Sequence, residues 1–341
     1  MDETRALTLK RLLMIAGLLA VGGVAPLLFP AYQLQLTELL LFMVFALCWD
    51  LVGGQMGYNS FGNVLFVGLG MYAAAIVQVG LFYDVGLYNE ARGGGTDFVF
   101  SESQFMTGLA LGIPAAAIVA ALAAWLLGSL VLTMRGHYFA ICTLGLGIAA
   151  GQIAAGIPWL GAGSGMLTPN PPESLGHVSL LLYYLALGLA VLCTLTFAWL
   201  LSTRLGLTLN AIRDDEDKAE AMGIKTHAAK VTAWVVAAGF LGAAGALYGN
   251  MVRFIDPIQT AFAGATIGVW MILMALLGGK GTLLGPIVGA IVFQVTKELF
   301  WTYLLGWQRV ALGLLIILVA VFFPSGIVGF VRERKRAEGK P

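Results

Sequence analysis

Ten windows of about 20 predominantly apolar residues follow one another almost without pause through this chain, near 12–30, 36–54, 60–82, 107–132, 138–157, 179–202, 229–250, 261–278, 284–305 and 308–330. A helix needs about 20 such residues to cross about 30 Å of hydrocarbon, and in lipid a backbone satisfies its hydrogen bonds only within helices or closed barrels. The expected fold is therefore all-α: one polytopic transmembrane helical bundle over 1–341, with about ten spans. Hydrophobic residues make up 59% of the 341 positions and charged residues 11%, with a mean hydropathy of +0.89. No soluble core of this length requires so much apolar side chain. The first window has no Ala-x-Ala site to close it, so it is expected to be retained rather than cleaved as a signal peptide.

Lys and Arg in short loops mark the cytoplasmic side of a membrane protein. With the N-terminus inside, ten crossings return the C-terminus inside. That arrangement puts 15 of the 19 basic residues in the cytoplasm, among them Arg5, Lys10, Arg11, Arg135, Lys230, Lys280 and the tail from Arg332 to Lys340. Residues 83–105 hold Asp84, Glu90, Asp97 and Glu102 against Arg92 alone, around a Gly93-Gly94-Gly95 tract, and read as an external loop. A net charge of +1 leaves no basic surface for nucleic acid, and the cationic ends read as topology anchors against anionic lipid.

The one dense run of charge extends from Leu209 to Lys225, between two apolar windows. It cannot sit in lipid, so the cytoplasmic loop 203–230 is expected to present it as a short surface helix, a handle for a soluble motor. Two glycine clusters, Gly53-Gly54-Gln55-Met56-Gly57 and Gly278-Gly279-Lys280-Gly281, fall at span junctions. Helices broken there are tolerated where they face protein or line a water-filled path. Other glycines recur at three- or four-residue intervals (Gly108/Gly112, Gly147/Gly151, Gly242/Gly245/Gly249, Gly264/Gly268, Gly285/Gly289) and read as close helix packing.

No enzyme constellation is present. Around Gly279-Lys280-Gly281-Thr282, Met274 stands where a phosphate loop needs its first glycine and Gly281 where it needs Ser or Thr. His137, His177 and His227 lie in different loops without metal-ligand spacing. Cys48, Cys142 and Cys193 sit inside apolar runs and read as small core or lipid-phase side chains.

The run from Asp50 to Asn63 (Asp-Leu-Val-Gly-Gly-Gln-Met-Gly-Tyr-Asn-Ser-Phe-Gly-Asn), followed by Gly68-Leu69-Gly70-Met71-Tyr72-Ala73-Ala74, resembles the second-span signature of branched-chain amino acid ABC transporter permeases of the LivM type. Further matches are Arg135 to Ala140, Asn210 to Glu216 with Met222-Gly223-Ile224, Gly242 to Tyr248, and Gly278 to Pro286 with Gly289-Ala290. The resemblance covers nearly the whole chain and implies the permease subunit of an importer in a bacterial inner membrane. Such a subunit pairs with a second, related permease as a heterodimer, with two cytoplasmic ATPases and with an extracytoplasmic substrate-binding protein. ATP and magnesium belong to the ATPases, so no cofactor is expected in this chain.

By the same resemblance the charged run is a coupling helix, with Asp217, Ala219 and Gly223 at the spacing of a Glu-Ala-Ala-x-x-x-Gly segment. Arg213, Asp214, Asp215, Glu216 and Glu220 flank them. The substrate path is expected near Asp50, Gly54, Gly57, Ser60, Gly62, Asn63 and Trp270. Three of these depart from the family pattern: Asp50 replaces the usual Asn, Asn63 ends a stretch that is usually Ser-Leu-Gly-His, and Trp270 replaces a smaller or polar residue. An intramembrane carboxyl is costly, so Asp50 is a path candidate; the alternatives are that it reaches cytoplasmic water or caps a half-helix. Branched-chain amino acids are the implied substrates, with urea, short amides or aromatic acids as alternatives within the family. An ion-coupled secondary transporter would need more paired charges inside its spans than this chain has.

Overall fold

The computed structural model describes residues 22–91, 98–303, 307, 310, 313–314 and 326–330. The windows 12–30 and 308–330, and both charged termini, fall largely or wholly outside them. The other eight windows are each occupied by helix. In chain order the helices are α1 (Gln33–Asp50), α2 (Val64–Gly80), α3 (Val85–Glu90), α4 (Glu102–Val131), α5 (Gly136–Ala155), α6 (Val178–Ser202), α7 (Arg204–Asp214), α8 (Glu216–Ala221), α9 (Thr226–Val252), α10 (Val269–Gly278) and α11 (Leu284–Tyr303). Seven stretches among the described residues are long and apolar enough to cross a membrane, and α2 is a shorter apolar helix of 17 residues.

Burial sorts these helices into layers. Every side chain of α1 from Leu40 to Asp50 is buried, because α6, α9, α10 and α11 all pack around it. At the periphery, α4 turns Leu111, Ile118, Leu122, Trp125, Leu126 and Leu130 outward, as a lipid-facing helix must. Lipid tails are as apolar as leucine, so helices in a bilayer are held by close packing rather than by exclusion from water. That is what the glycine spacing provides where α2, α4 and α9 meet. A Cβ on Gly242 of α9 would lie 2.5 Å from the Ala116 carbonyl oxygen of α4, so the helices meet backbone to backbone.

Several expected boundaries shift for identifiable reasons. The span expected over 60–82 becomes helical only at Val64, because residues 56–63 form an irregular loop after the first glycine cluster. The span expected over 261–278 is interrupted by π-helical turns at Pro257–Ala261 and Gly264–Gly268 before α10 begins. The segment 83–105, expected to be an external loop, ends early: Ser101 accepts from the Gln104 backbone N–H at 3.3 Å while the Gln104 side chain accepts from the Ser101 N–H at 2.9 Å. This reciprocal cap starts α4 at Glu102. Its described part is folded, since Tyr83 and Tyr88 pack edge to face on Phe98 and Phe100. Residues 92–97, with Arg92, the glycine tract and Asp97, lie outside the described residues. Met166–Leu167 pairs antiparallel with Phe254–Ile255, a two-residue exception to the all-α expectation. Cys48 of α1 and Cys193 of α6, read separately in the sequence, are both free and buried, on two helices that pack together.

Candidate functional site

Segments 50–63, 204–230 and 278–281, far apart in the chain, converge at one end of the bundle. After Asp50, α1 widens into a π-helical turn over Leu51–Gln55, and the chain leaves the helix through Gly57 at φ +83°. On the other side α10 stops at Gly278, and Gly279 and Gly281 take φ of +120° and +76°. Positive φ of this kind strains any residue with a Cβ, and the two glycine clusters are helix breaks for that reason.

Asp50 joins the breaks. Its Oδ1 accepts from the Gly281 backbone N–H at 2.7 Å, and the residue is only 3% exposed. It therefore neither reaches water nor caps its own half-helix; it is a strut between two broken helices. The carboxyl passes directly over Gly54, where a Cβ would sit 2.5 Å from the Gly281 nitrogen. The nearby cations acting on it are Arg213 and Lys280. Arg213 of α7 packs into the same junction: its Cγ would be 3.0 Å from a Cβ on Gly57, and its guanidinium 3.4 Å from a Cβ on Gly281.

A second set of contacts fastens the charged segment to the loop after the first break. The segment folds as two helices rather than the one expected, turning a corner at Asp215, whose carboxylate caps α8 by accepting from the Lys218 N–H at 3.0 Å. Buried Leu209 and Ile212 hold α7 against the bundle. Glu216, the first residue of α8, receives Lys230 Nζ at 2.6 Å and the Tyr58 hydroxyl. Lys230 also donates to the Tyr58 oxygen at 2.9 Å and to the Leu132 carbonyl at 2.8 Å, and is 2% exposed. Arg135 lies 3.5 Å from both Glu216 and Glu220 and pairs with Asp217. Burial, and next the adjacent Glu216 carboxylate, push the Tyr58 phenol above its usual range, so Tyr58 stays protonated and remains a donor. A polar cavity of about 250 Å³ opens here, lined by Gly57, Tyr58, Phe61, Arg135, His137 and Glu216 among others. A larger cleft of about 720 Å³, lined by Asn89, Gly161, Gly165 and Phe254 among others, lies elsewhere on the molecule, beside the short strand pair.

The remaining path candidates divide. Ser60, Gly62 and Asn63 stay with the break. The Ser60 carbonyl accepts from the Trp49 indole at 2.8 Å, Gly62 packs on the Thr143 carbonyl of α5, and Asn63 accepts from Trp234 at 3.5 Å. Its buried Nδ2 has no partner among the described residues. Trp270 stands apart, against Phe42 and Phe293. Of the coupling candidates, Asp214, Asp217 and Glu220 face outward, and Gly223 ends the turn after α8 at φ +82° with open space around it. Ala219, expected among the coupling residues, is 4% exposed and packs inward rather than facing out with them. Met222 is the prominent outer apolar group at 83% exposed. Tyr58, Lys230 and Met222 are not among the site residues expected from the sequence. A lysine inside the first turn of an apolar window was the available signal for Lys230.

Residues 34–320 match the family described as branched-chain amino acid transport system / permease component. The chain is 27% identical over 320 residues to the high-affinity branched-chain amino acid transport system permease protein LivM of Escherichia coli K12, covering 86% of this chain and 72% of that protein. It is 25% identical over 337 residues to the probable LivM of Methanocaldococcus jannaschii, covering 94% and 84%. Similarity to the LivH permease protein of Salmonella typhimurium is 30% over 128 residues, 37% of this chain and 40% of that one. No solved structure matches significantly.

Proposed function

The chain belongs to the family of branched-chain amino acid transport permeases, and from that membership we propose that it is the membrane subunit of an ATP-driven importer for branched-chain or closely related amino acids. It is a multi-pass membrane protein and a transport permease, not an enzyme. In this reading it works in the bacterial inner membrane beside a second, LivH-like permease. Two cytoplasmic ATPases drive it, an external binding protein delivers substrate, and ATP and magnesium stay on the ATPases.

The observation that carries the reading is the buried Lys230–Glu216–Tyr58 junction. An ATPase that grips Asp214, Asp217 and Met222 pulls on the α7–α8 corner and on α8. Glu216 hands that displacement to Tyr58, directly after the first break, while Arg213 levers against both breaks. Each link is a short hydrogen bond or a backbone contact, so motion of the surface helix reaches the glycine breaks without slack. The breaks offer backbone dipoles to a small solute, which needs no tight site here because the binding protein captures it. The test is uptake of radiolabelled leucine by proteoliposomes holding the whole complex. ATP hydrolysis stimulated by loaded binding protein, with no uptake of any aliphatic amino acid, would overturn the proposal.

Two further results are expected. A single cysteine at Lys218, in a chain lacking its three native cysteines, should label only from the cytoplasmic face, whereas one at Glu90 should label only from outside; external labelling at 218 would refute the N-in, C-in orientation. Gly223→Trp should cost the fold only about 1–2 kcal/mol for a side chain at positive φ, since nothing lies within 4 Å, yet stop uptake by obstructing the docking face. Gly223→Asn, which tolerates left-handed backbone, should retain most uptake. Full transport by the tryptophan variant would remove this segment from the ATPase contact.

A further inference from the structure

Some 18 Å along the α1 axis from Asp50, at about 1.5 Å per residue, a second polar group is built into the bundle and takes no part in the coupling junction. Glu38 of α1 receives Lys297 Nζ of α11 at 2.5 Å and Gln294 Nε2 at 2.9 Å. Gln294 also reaches Glu298 at 3.3 Å. The Lys297 and Glu38 side chains are 7% and 16% exposed. The ammonium lies 4.9 Å from the Phe42 ring centroid and 5.6 Å from that of Trp270, against two aromatic rings. Gln294 is 4% exposed, and its Oε1 is buried with no hydrogen-bond partner among the described residues.

Stability does not account for this cluster. Charges at membrane depth are costly, and a buried ion pair replaced by well-packed apolar side chains is often neutral or stabilising. An amide oxygen left unpaired beside it adds to the cost. The unspent acceptor, with one anion and one cation at its side, matches the charge pattern of an α-amino acid. We propose that Glu38, Lys297 and Gln294 form a transit site for an amino-acid zwitterion. On opening, Glu38 takes the substrate ammonium, Lys297 takes its carboxylate, and Gln294 Oε1 accepts a further ammonium N–H. Phe42 and Trp270 offer apolar surface to the side chain. The exchange replaces one internal ion pair by two pairs with the substrate, so neither protein charge is stranded. A solute with a single charge would leave one stranded, and an uncharged one both, so the site selects for zwitterions. Between cycles the Glu38–Lys297 pair closes on itself and shuts the site.

This proposal rests on the amino-acid importer reading, and one set of measurements separates the two. Leucine uptake and thermal unfolding are compared for complexes carrying Glu38→Gln, Lys297→Met, both together, or Gln294→Leu. Each single charge change should destabilise the complex and cut turnover at saturating loaded binding protein more than tenfold. The double variant, with no stranded charge, should regain the lost thermal stability while uptake stays more than tenfold down. Recovery of uptake together with stability would show a structural pair and overturn the proposal. Should the double variant fail to assemble, Gln294→Leu decides, since it keeps the ion pair: several-fold slower uptake supports the site, and wild-type uptake overturns it. A wild-type complex that takes up no amino acid overturns the importer reading, and this proposal with it.

Discussion

Lys230→Met is expected to destabilise the complex by about 3 kcal/mol and to uncouple ATP hydrolysis from uptake. Lys230 is buried and gives three hydrogen bonds, to Glu216, the Tyr58 oxygen and the Leu132 carbonyl. Removing one partner of a buried pair costs roughly 3–5 kcal/mol, because the other charge is stranded. The lower end applies here, since Glu216 keeps the Tyr58 hydroxyl and Arg135. Adding Glu216→Gln should restore much of the stability, since no unpaired charge remains. It should not restore uptake, because the charged link between α8 and the first break is still absent. Thermal unfolding and leucine uptake on the same preparations separate the two effects, and wild-type uptake by the double variant would show that the junction is structural only.

Acid should reveal the same junction. Burial, the largest influence on Glu216, opposes its charge, but the hydrogen bonds from Lys230 and Tyr58 outweigh it and hold the carboxyl below its ordinary value of 4.5. A carboxyl depressed in the folded state contributes stability that is present above the unfolded value and is lost as pH falls through the folded one. Wild-type protein should therefore lose stability on acidification below about pH 4.5 more steeply than Glu216→Gln.

Gly62→Leu is expected to abolish uptake, and Gly57→Leu to reduce it more than tenfold. A Cβ on Gly62 would overlap the Thr143 carbonyl of α5 and lie 3.0 Å from the Thr143 Cβ, so the loop after the first break must move. Overpacking of this kind costs about 1–3 kcal/mol. Gly57 combines positive φ with Arg213 only 3.0 Å from its missing Cβ, so leucine there both strains the turn and displaces Arg213 from the junction. Assembly measured by co-purification with the partner permease should survive better than transport. Unimpaired leucine uptake by either variant would remove the break from the path.

Much of this architecture is legible in the chain. The eight apolar windows that lie within the described residues each hold helix, and the Gly242 and Gly278 clusters lie where helices touch or break. Trp270 shows a limit of the sequence: a departure from family pattern carries no direction, and the residue packs beside the Glu38–Lys297 pair rather than at the glycine break. Ala219 shows the same limit on a smaller scale: its size is readable, but the face it occupies follows from how α8 is tethered.

The amino-acid order is enough to establish membrane residence, helical class, the number of apolar windows and the places where helices break. Each of these depends on hydrophobic length, charge or a backbone preference within about 20 neighbouring residues. It does not show that Asp50 bridges to Gly281, that Lys230 is buried on Glu216 and Tyr58, or that Glu38 pairs with Lys297. Partners more than 150 residues apart, or on separate helices, meet through interhelical packing, and helix rotation and depth arise from the joint fit of all the helices rather than from any one segment.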